Sequence, residues 1–559
     1  MLVTAPAAAD EFQRPVITRS VVDWDAAAVT LPDRRSEPPA ETFKRLNTET
    51  GKRFAGIEKS AVPVLLPFDI DAFRKDIADN NPEAAGSEKY FGGFHQTKFF
   101  LAGPAGYDAT FTLSNKEDGL KIRFAKPIVF EMSGAAFVYD LDGPSHIEKE
   151  TTPPKDLLES FPGIRRVLSE AHLRYVFERF GVPYVLSVQC YDMHPSSRHL
   201  SCKEADPLAL RFLQLLHTAG GTPAKIPEPE LDLSRPAAKS DFTYYSPGDL
   251  IENTGWRKMP GRVDHHVYAR IRFPIADAPA YIKSQSFLPW GDCYRTGRIG
   301  RLGKKGAIYR CKVNNISLVF DESAAINFTY PWRDNFCEQR DFLVGQCPGG
   351  YGHQGEDIRG SKCVLNNAEA DRCLPYQDLV AAASDGTIRR LPGNLAAYIV
   401  VNTKNEHIRF RYLHMNPKFM DADGLLSGRK VSEGEIIGKV ATWGDFEQGT
   451  SYHLHFNIQV FTSIGWVWVN PYMTLVASYE RLIGGRGTEI KPGDPEPPVP
   501  EKLPVILHPA PPSDGPAAAP LPTPKPAVSS MPPAKIEEKS AEPRNRRSAH
   551  RRLRQKAED

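Results

Sequence analysis

Four short segments between Gly352 and Phe456 hold residues that can do chemistry. They are Gly352-His353-Gln354-Gly355-Glu356-Asp357-Ile358, Tyr412-Leu413-His414-Met415, the glycine-punctuated run Gly428 to Gly438, and His453-Leu454-His455-Phe456. The last continues into Phe456, Ile458 and Val460, which predicts a strand. In a strand, residues i and i+2 face the same way, so His453 and His455 project side by side. Two imidazoles on one face can share a metal, or one can ligate while its neighbour does acid–base work. The first segment adds a third histidine and a carboxylate. His, His and Asp are good ligands for Zn2+ at ~2.0–2.2 Å. Three protein ligands leave a fourth position open for water, which is the catalytic arrangement. Each segment alone is a weak signal, and a lone His-x-His is more often a sheet or surface pair. Together and in this order, they make chance a poor explanation.

The set resembles the lysostaphin/LytM-type zinc endopeptidases, which hydrolyse peptide cross-bridges in bacterial peptidoglycan. The resemblance covers about residues 325 to 475. His353, Gly355, Asp357 and Ile358 match the family's first segment, and Val380, Ala382 and Gly386 match the strand expected over Leu379 to Ile388. Tyr412-x-His414 matches its aromatic-x-His segment, and Gly434-x-x-Ile437-Gly438 its hairpin. His453-Leu454-His455-Phe456 matches the closing signature, and Val469-Asn470-Pro471 the usual exit. The resemblance implies that His353, Asp357 and His455 ligate zinc. It implies that His414 and His453 are the catalytic pair, with their separate roles left open. It also implies a small antiparallel β-sheet folded around a groove, and peptidoglycan stem peptides as substrate.

Two departures bear on substrate choice. A longer loop, carrying Cys363 and Cys373, separates Asp357 from Val380, and Ser451-Tyr452 stands where the family usually has Gly-Pro. Both are expected at the rim of the groove. One alternative is a non-catalytic protein of the same fold that activates cell-wall amidases, but all five positions are filled. Another is an iron enzyme whose metal is held by two histidines and a carboxylate. Such sites usually space the first histidine and the carboxylate by one residue rather than three, and they have no use for His414 and His453.

The elements that must position these residues belong to a chain of several domains. Residues 1–45 read as an irregular arm. Ala7-Ala8-Ala9 before Asp10 looks like the end of a signal peptide, which suggests that the given start lies inside a longer one. Residues 46–219 read as an α+β domain of unknown role. Strands are expected at Phe99 to Leu101, Thr110 to Leu113, Leu120 to Phe124 and Ile128 to Leu141, the last turning at Met132-Ser133-Gly134. A helix is expected through Ile164, Val167, Leu168, Leu173, Val176, Phe177 and Phe180, stopped by Gly181-Val182-Pro183. A strand at Tyr184 to Cys190 and a helix over Lys203 to Ala219 follow. His172, His194, His199 and His217 suit no metal site by spacing and read as structural or surface residues. His407 reads as a surface residue of the strand before His414.

Prolines mark a linker over 220–242. A β-rich, cysteine-containing extension spans 243–324, with strand-like runs at Val267 to Phe273, Ala307 to Val313 and Ile316 to Phe320. The resemblance implies that residues 325–484 are a LytM-like, mainly antiparallel β domain, and a closing helix is expected from Pro471 to Ile483. Residues 485–559 read as a disordered, proline-rich tail. Its end, 544–559, carries seven basic residues against two acidic ones, which suits weak contact with an anionic surface.

Lys plus Arg is 70 and Asp plus Glu 68, for a net charge of +2, which excludes a protein that works mainly by charge, such as a nucleic-acid binder. No run approaches the ~18 apolar residues of a membrane helix. All eight cysteines fall between Cys190 and Cys373 and none forms a C-x-x-C pair, so disulfides and export to the periplasm or cell envelope are expected. At least two disulfides are expected, with Cys190 and Cys202, and Cys293 and Cys311, each flanking a short connection.

Overall fold

Two antiparallel sheets, each packed on its own apolar core, carry the fold in a computed structural model of the protein. The structure describes residues 12–31, 37–79, 86–113, 127–141, 149–169, 172–190, 200–251, 254–255, 260–284, 292–297, 308–313, 316–317, 325–338, 352–362, 365–366, 369–441 and 452–495. All of these belong to one compact unit.

The first sheet is built from β1 (His95–Gly103), β2 (Gly106–Leu113), β3 (Ile128–Ala135), β4 (Lys149–Thr151), β5 (Arg165–Ser169), β6 (His172–Arg179) and β7 (Val182–Gln189). Its strand order is β1-β2-β3-β7-β6-β5-β4. Helix α1 (Cys202–Gln214) begins with a capping box between Ser201 and Glu204 and buries Ala205, Ala209, Phe212 and Leu213 in the same core. It is shorter than the expected helix, because Leu216–Gly220 turns into a strand.

The helix expected through Ile164 to Phe180 is absent, and its residues form the β5–β6 hairpin instead. Residues Leu173 to Phe177 of β6 are buried on both faces. A strand covered on both sides loses the apolar–polar alternation that marks it in sequence. Gly181 does not stop a helix. Phe180 and Gly181 have φ of 56° and 68°, the two positive values of a type I′ turn joining β6 to β7. Nor does the chain turn at Met132-Ser133-Gly134, since β3 runs straight through them. Gly134 serves close approach: a Cβ there would lie 2.6 Å from the Tyr184 ring and 2.8 Å from that of Tyr107.

The second sheet comprises β8 (Ala280–Ile282), β9 (Glu356–Gly360), β10 (Gly386–Arg389), β11 (Ala397–Asn402), β12 (His407–Leu413), β13 (Lys430–Val431) and β14 (Leu454–Thr462). Their order is β8-β9-β14-β12-β11-β10-β13, and β15 (Gly465–Val469) also pairs with β14. One face is apolar. Ile408, Phe410 and Tyr412 pair across from Val460, Ile458 and Phe456, and all six enter the second core with helix α2 (Tyr472–Ile483). The other face carries His407, Arg409 and Arg411 on β12 and His455, Asn457 and Gln459 on β14, all buried. The first sheet covers the far end of that polar face, where Asp108, Glu131 and Ser133 reach across to Arg409.

Several local expectations change. Leu379 to Ile388 is two strands, Leu379–Ala381 and β10. The glycine run is not a hairpin, since β13 pairs with β10 while Ile436–Lys439 pairs with Leu379–Ala381. Val267 to Phe273 forms no strand, although its apolar residues are buried. The tail gives up its first residues, because Arg486–Ile490 pairs in parallel with Lys239–Tyr245. A short run next to a packed helix can complete an edge without an apolar period of its own.

Cys190 and Cys202 form a disulfide, as their spacing predicted. Cys337 and Cys373 are each in a disulfide as well. Cys293 lies opposite Cys311 in a strand pair, with side chains outside the described ones. Leu120 to Phe124, His194, His199, most of the turn between Gly297 and Gly306, and the tail beyond residue 495 also lie outside. Among the described residues no helix is long and apolar enough to cross a membrane.

Candidate metal centre

Three adjacent strands bring the candidate residues to one end of the second sheet. Asp357 on β9 lies opposite His455 on β14, and His455 lies opposite Leu413 on β12. His414 follows Leu413, His453 immediately precedes β14, and His353 lies just ahead of β9. All five sequence-predicted residues therefore meet.

His353 Nε2, Asp357 Oδ1 and His455 Nδ1 form a triangle. Its sides are 2.8 Å between the two nitrogens and 3.1 Å from each nitrogen to the carboxylate oxygen. Tetrahedral bonds of ~2.0 Å would separate ligand atoms by roughly 3.3 Å, so the triangle matches a zinc ligand face with little adjustment. His353 Nδ1 is 2.9 Å from the Asn335 carbonyl, which can only accept. The proton therefore sits on Nδ1, and the Nε2 lone pair points into the triangle. Gly355 lets the segments close up, because a Cβ there would lie 2.4 Å from the Phe456 carbonyl and 2.9 Å from His455 Nε2.

The electrostatics suit a metal too. Burial opposes ionisation of Asp357, but His353 and His453 beside it overcome this and hold its carboxyl well below the usual range. Burial pushes His455 well below an ordinary imidazole, and His353 adds to the shift. Burial likewise brings His453 down to about 4. A carboxylate beside imidazoles that burial keeps easy to deprotonate, as at His453 and His455, suits metal binding.

His453 Nε2 reaches the same Asp357 Oδ1 at 3.3 Å. Its ring stands 4.5 Å from that of His414, whose ring is 5.9 Å from His455. His414 adopts a left-handed φ of 65°, which turns the chain as it leaves β12. The Ala441 amide holds this turn by donating to the His414 carbonyl at 3.0 Å.

A supporting layer escaped the sequence reading. Asn335 accepts from His353 through its carbonyl and from the Asp357 amide through Oδ1, at 3.0 Å. His353 and residues 337–338 exchange two backbone bonds of 2.8 Å. Behind them Asp334 accepts from Gly248, Phe336 and Asn470 at 2.7–2.8 Å. Burial and the neighbouring Asp334 push the Glu356 carboxyl well above the usual range. Asn470 thus ties the Val469-Asn470-Pro471 exit to the centre. Asp334-Asn335 has no distinctive spacing from the histidines, so nothing in the sequence marks it.

Two expectations fail here. Tyr452 is buried rather than at a rim, and its hydroxyl bonds the Asp378 carboxylate and amide. It fastens the cysteine-bearing loop to the chain entering His453. His407 is fully buried rather than on the surface, with Nε2 2.7 Å from Asp108 Oδ2.

No protein-family model matches the chain, and no curated protein does. Two solved structures are similar to part of it. One is a LytM glycyl-glycine endopeptidase from Ruminococcus gnavus, 21% identical over 24% of this chain and 49% of that one, with a TM-score of 0.17. The other is the antimicrobial peptidase lysostaphin from Staphylococcus simulans, 22% identical over 23% of this chain and 45% of that one, with a TM-score of 0.16. The similarity of this chain to LytM and lysostaphin thus spans about half the length of each.

Proposed function

We propose that the protein is a zinc-dependent endopeptidase that hydrolyses peptide cross-links of bacterial peptidoglycan. The observation that carries this is the triangle of His353 Nε2, Asp357 Oδ1 and His455 Nδ1 with two further histidines beside it. Zinc held by these three residues would supply a Lewis acid that acidifies water and polarises the scissile carbonyl. Asp357 contributes the charge, and Asn335 keeps the His353 lone pair aimed inward. His453, neutral by burial, can accept a proton from the attacking water or donate to the oxygen that gains charge. His414 stands across from it for the complementary task.

The sequence signature names the substrate class, and the filled five-residue set favours an enzyme over a regulator. The Cys190–Cys202 disulfide supports export to the periplasm or cell envelope. The basic stretch 544–559 would add weak contact with an anionic surface. The test is digestion of purified peptidoglycan with mass analysis of the released peptides, with and without chelator. Release of cross-link fragments that stops with chelation and returns with zinc is expected. Full release in excess chelator would sink the proposal.

A further inference from the structure

A cavity lies at the other end of β12 from the metal centre. Glu406 immediately precedes β12 and His414 immediately follows it, so the strand separates them by roughly 23 Å. Four segments close around this cavity. Arg14 comes from the N-terminal arm, and Tyr139 from the strand Phe137–Asp140 that pairs with Val16–Arg19 of that arm. Glu228 and Glu230 come from the proline-rich linker, and Asn405 and Glu406 from the turn between β11 and β12. The volume is about 150 Å³. That is room for about five waters, or for a ligand of about six non-hydrogen atoms.

The charges of the wall are separated. Glu228 pairs with Arg19 at 2.5 Å, but among the described residues no cation pairs with Glu230 or Glu406. Burial brings the Glu406 carboxyl up to about 7, opposed by a hydrogen bond from the Arg270 amide and not by a cation. A carboxylate withdrawn from water calls for a counter-charge. Arg14 is the one cation among the described lining residues, and it bridges to none of the three carboxylates. An unpaired cation and two unpaired carboxylates around one small space are what a zwitterion would join.

A second observation is independent of charge. Tyr139 lines the cavity at 2% exposure, and its hydroxyl has no hydrogen-bond partner. A buried phenol normally has one. Burial and then the Glu406 carboxylate oppose ionisation of this hydroxyl, which sets the two groups within each other's field. An ammonium has three N–H donors, enough for both carboxylates and the phenol oxygen.

We propose that this cavity binds a small α-amino acid as its zwitterion, with the ammonium on Glu406, Glu230 and the Tyr139 hydroxyl and the carboxylate on Arg14. The site is separate from the metal centre, and nothing in it depends on the hydrolytic activity. The test is equilibrium dialysis of the full chain against radiolabelled alanine at neutral pH. Saturable uptake of one molecule per chain is expected, with displacement by glycine. Methylamine or acetate should displace it only at about tenfold higher concentration or more, because each offers half of the contacts. Glu406→Gln should weaken binding by about tenfold, yet its melting temperature without ligand should not fall, since the change removes an unpaired charge. Tyr139→Phe keeps the ring and loses the hydroxyl, and should weaken binding by about fivefold. No saturable uptake by the parent protein, or undiminished uptake by Glu406→Gln, would overturn the proposal. Full affinity in Arg14→Gln, or methylamine competing as well as glycine, would overturn the zwitterion and leave a site for the ammonium alone.

Discussion

Asp108 and Asp357 are both buried carboxylates facing histidine, and they lie toward opposite ends of one polar sheet face. Asp108 meets His407 and Arg409, which flank it at the start of β12. Asp357 meets His353, His453 and His455. The guanidinium makes the difference. It is permanently charged and has no lone pair to offer a metal, so the Asp108 cluster is a buried ion pair. Imidazoles keep a lone pair, so the Asp357 cluster gathers donors aimed at a common point. β12 carries a histidine at each margin of this contrast. His407 is locked beneath the first sheet, while His414, itself left-handed, turns the chain beside the metal triangle.

The comparison breaks most sharply if ligands are removed. His455→Ala should lose both zinc and activity, and a chelator should abolish turnover of the parent protein until zinc is restored. His414→Ala or His453→Ala should lower turnover by ~10²–10⁴-fold while much of the zinc stays, because neither completes the triangle. Metal analysis alongside rates decides between them. Equal zinc loss in all three variants would show that His453, which also touches Asp357, is a ligand.

At the other end the same kind of change should cost stability and spare the metal. Asp108→Asn leaves Arg409 and His407 buried beside a neutral group, which should destabilise the fold by about 3–5 kcal/mol. Zinc content at low temperature should be unchanged. The acid limb carries the same signature. Glu131 is held at about 2, below its ordinary value, against burial and by Arg389 and Arg409. Its contribution is therefore fully present above the ordinary carboxylate range and is lost as pH falls from there towards 2. Glu131→Gln should flatten that part of the stability–pH curve. A variant as acid-sensitive as the parent would mean that Glu131 does not hold the sheets together.

The metal end was legible because its residues are polar, rare and fixed in spacing by strands. His453 and His455 share a face by the period of two, and Gly355 is demanded by close contact. The opposite end was not legible. Asp108 and His407 are 299 positions apart, and nothing local says that a strand histidine will be covered by another sheet. The β5–β6 hairpin was lost for a related reason, because double-sided burial erased its alternation. Helices α1 and α2 were legible in type and place because each keeps an apolar stripe and clear end signals. The glycine run showed its two strands but not that they pair with different partners.

The smallest expected effect tests whether the supporting layer belongs to the metal centre or only to the core behind it. Asn335→Ala removes Oδ1 and leaves the buried Asp357 amide without its 3.0 Å acceptor. The bond from His353 Nδ1 goes to the backbone carbonyl of residue 335, so it survives the substitution. The ligand set is then intact, but the strand residue that carries the central carboxylate is less firmly placed. Loss of such second-layer bonds typically costs ~10–100-fold in metal affinity. Zinc affinity measured by competition with a chromophoric chelator should fall by that order, well short of the loss in His455→Ala. Turnover at saturating zinc should remain close to the parent's, since His414 and His453 are untouched. If zinc affinity were unchanged while the melting temperature dropped, residues 334–338 would be packing alone. The Asp357 cluster would then hold its shape through strand pairing alone.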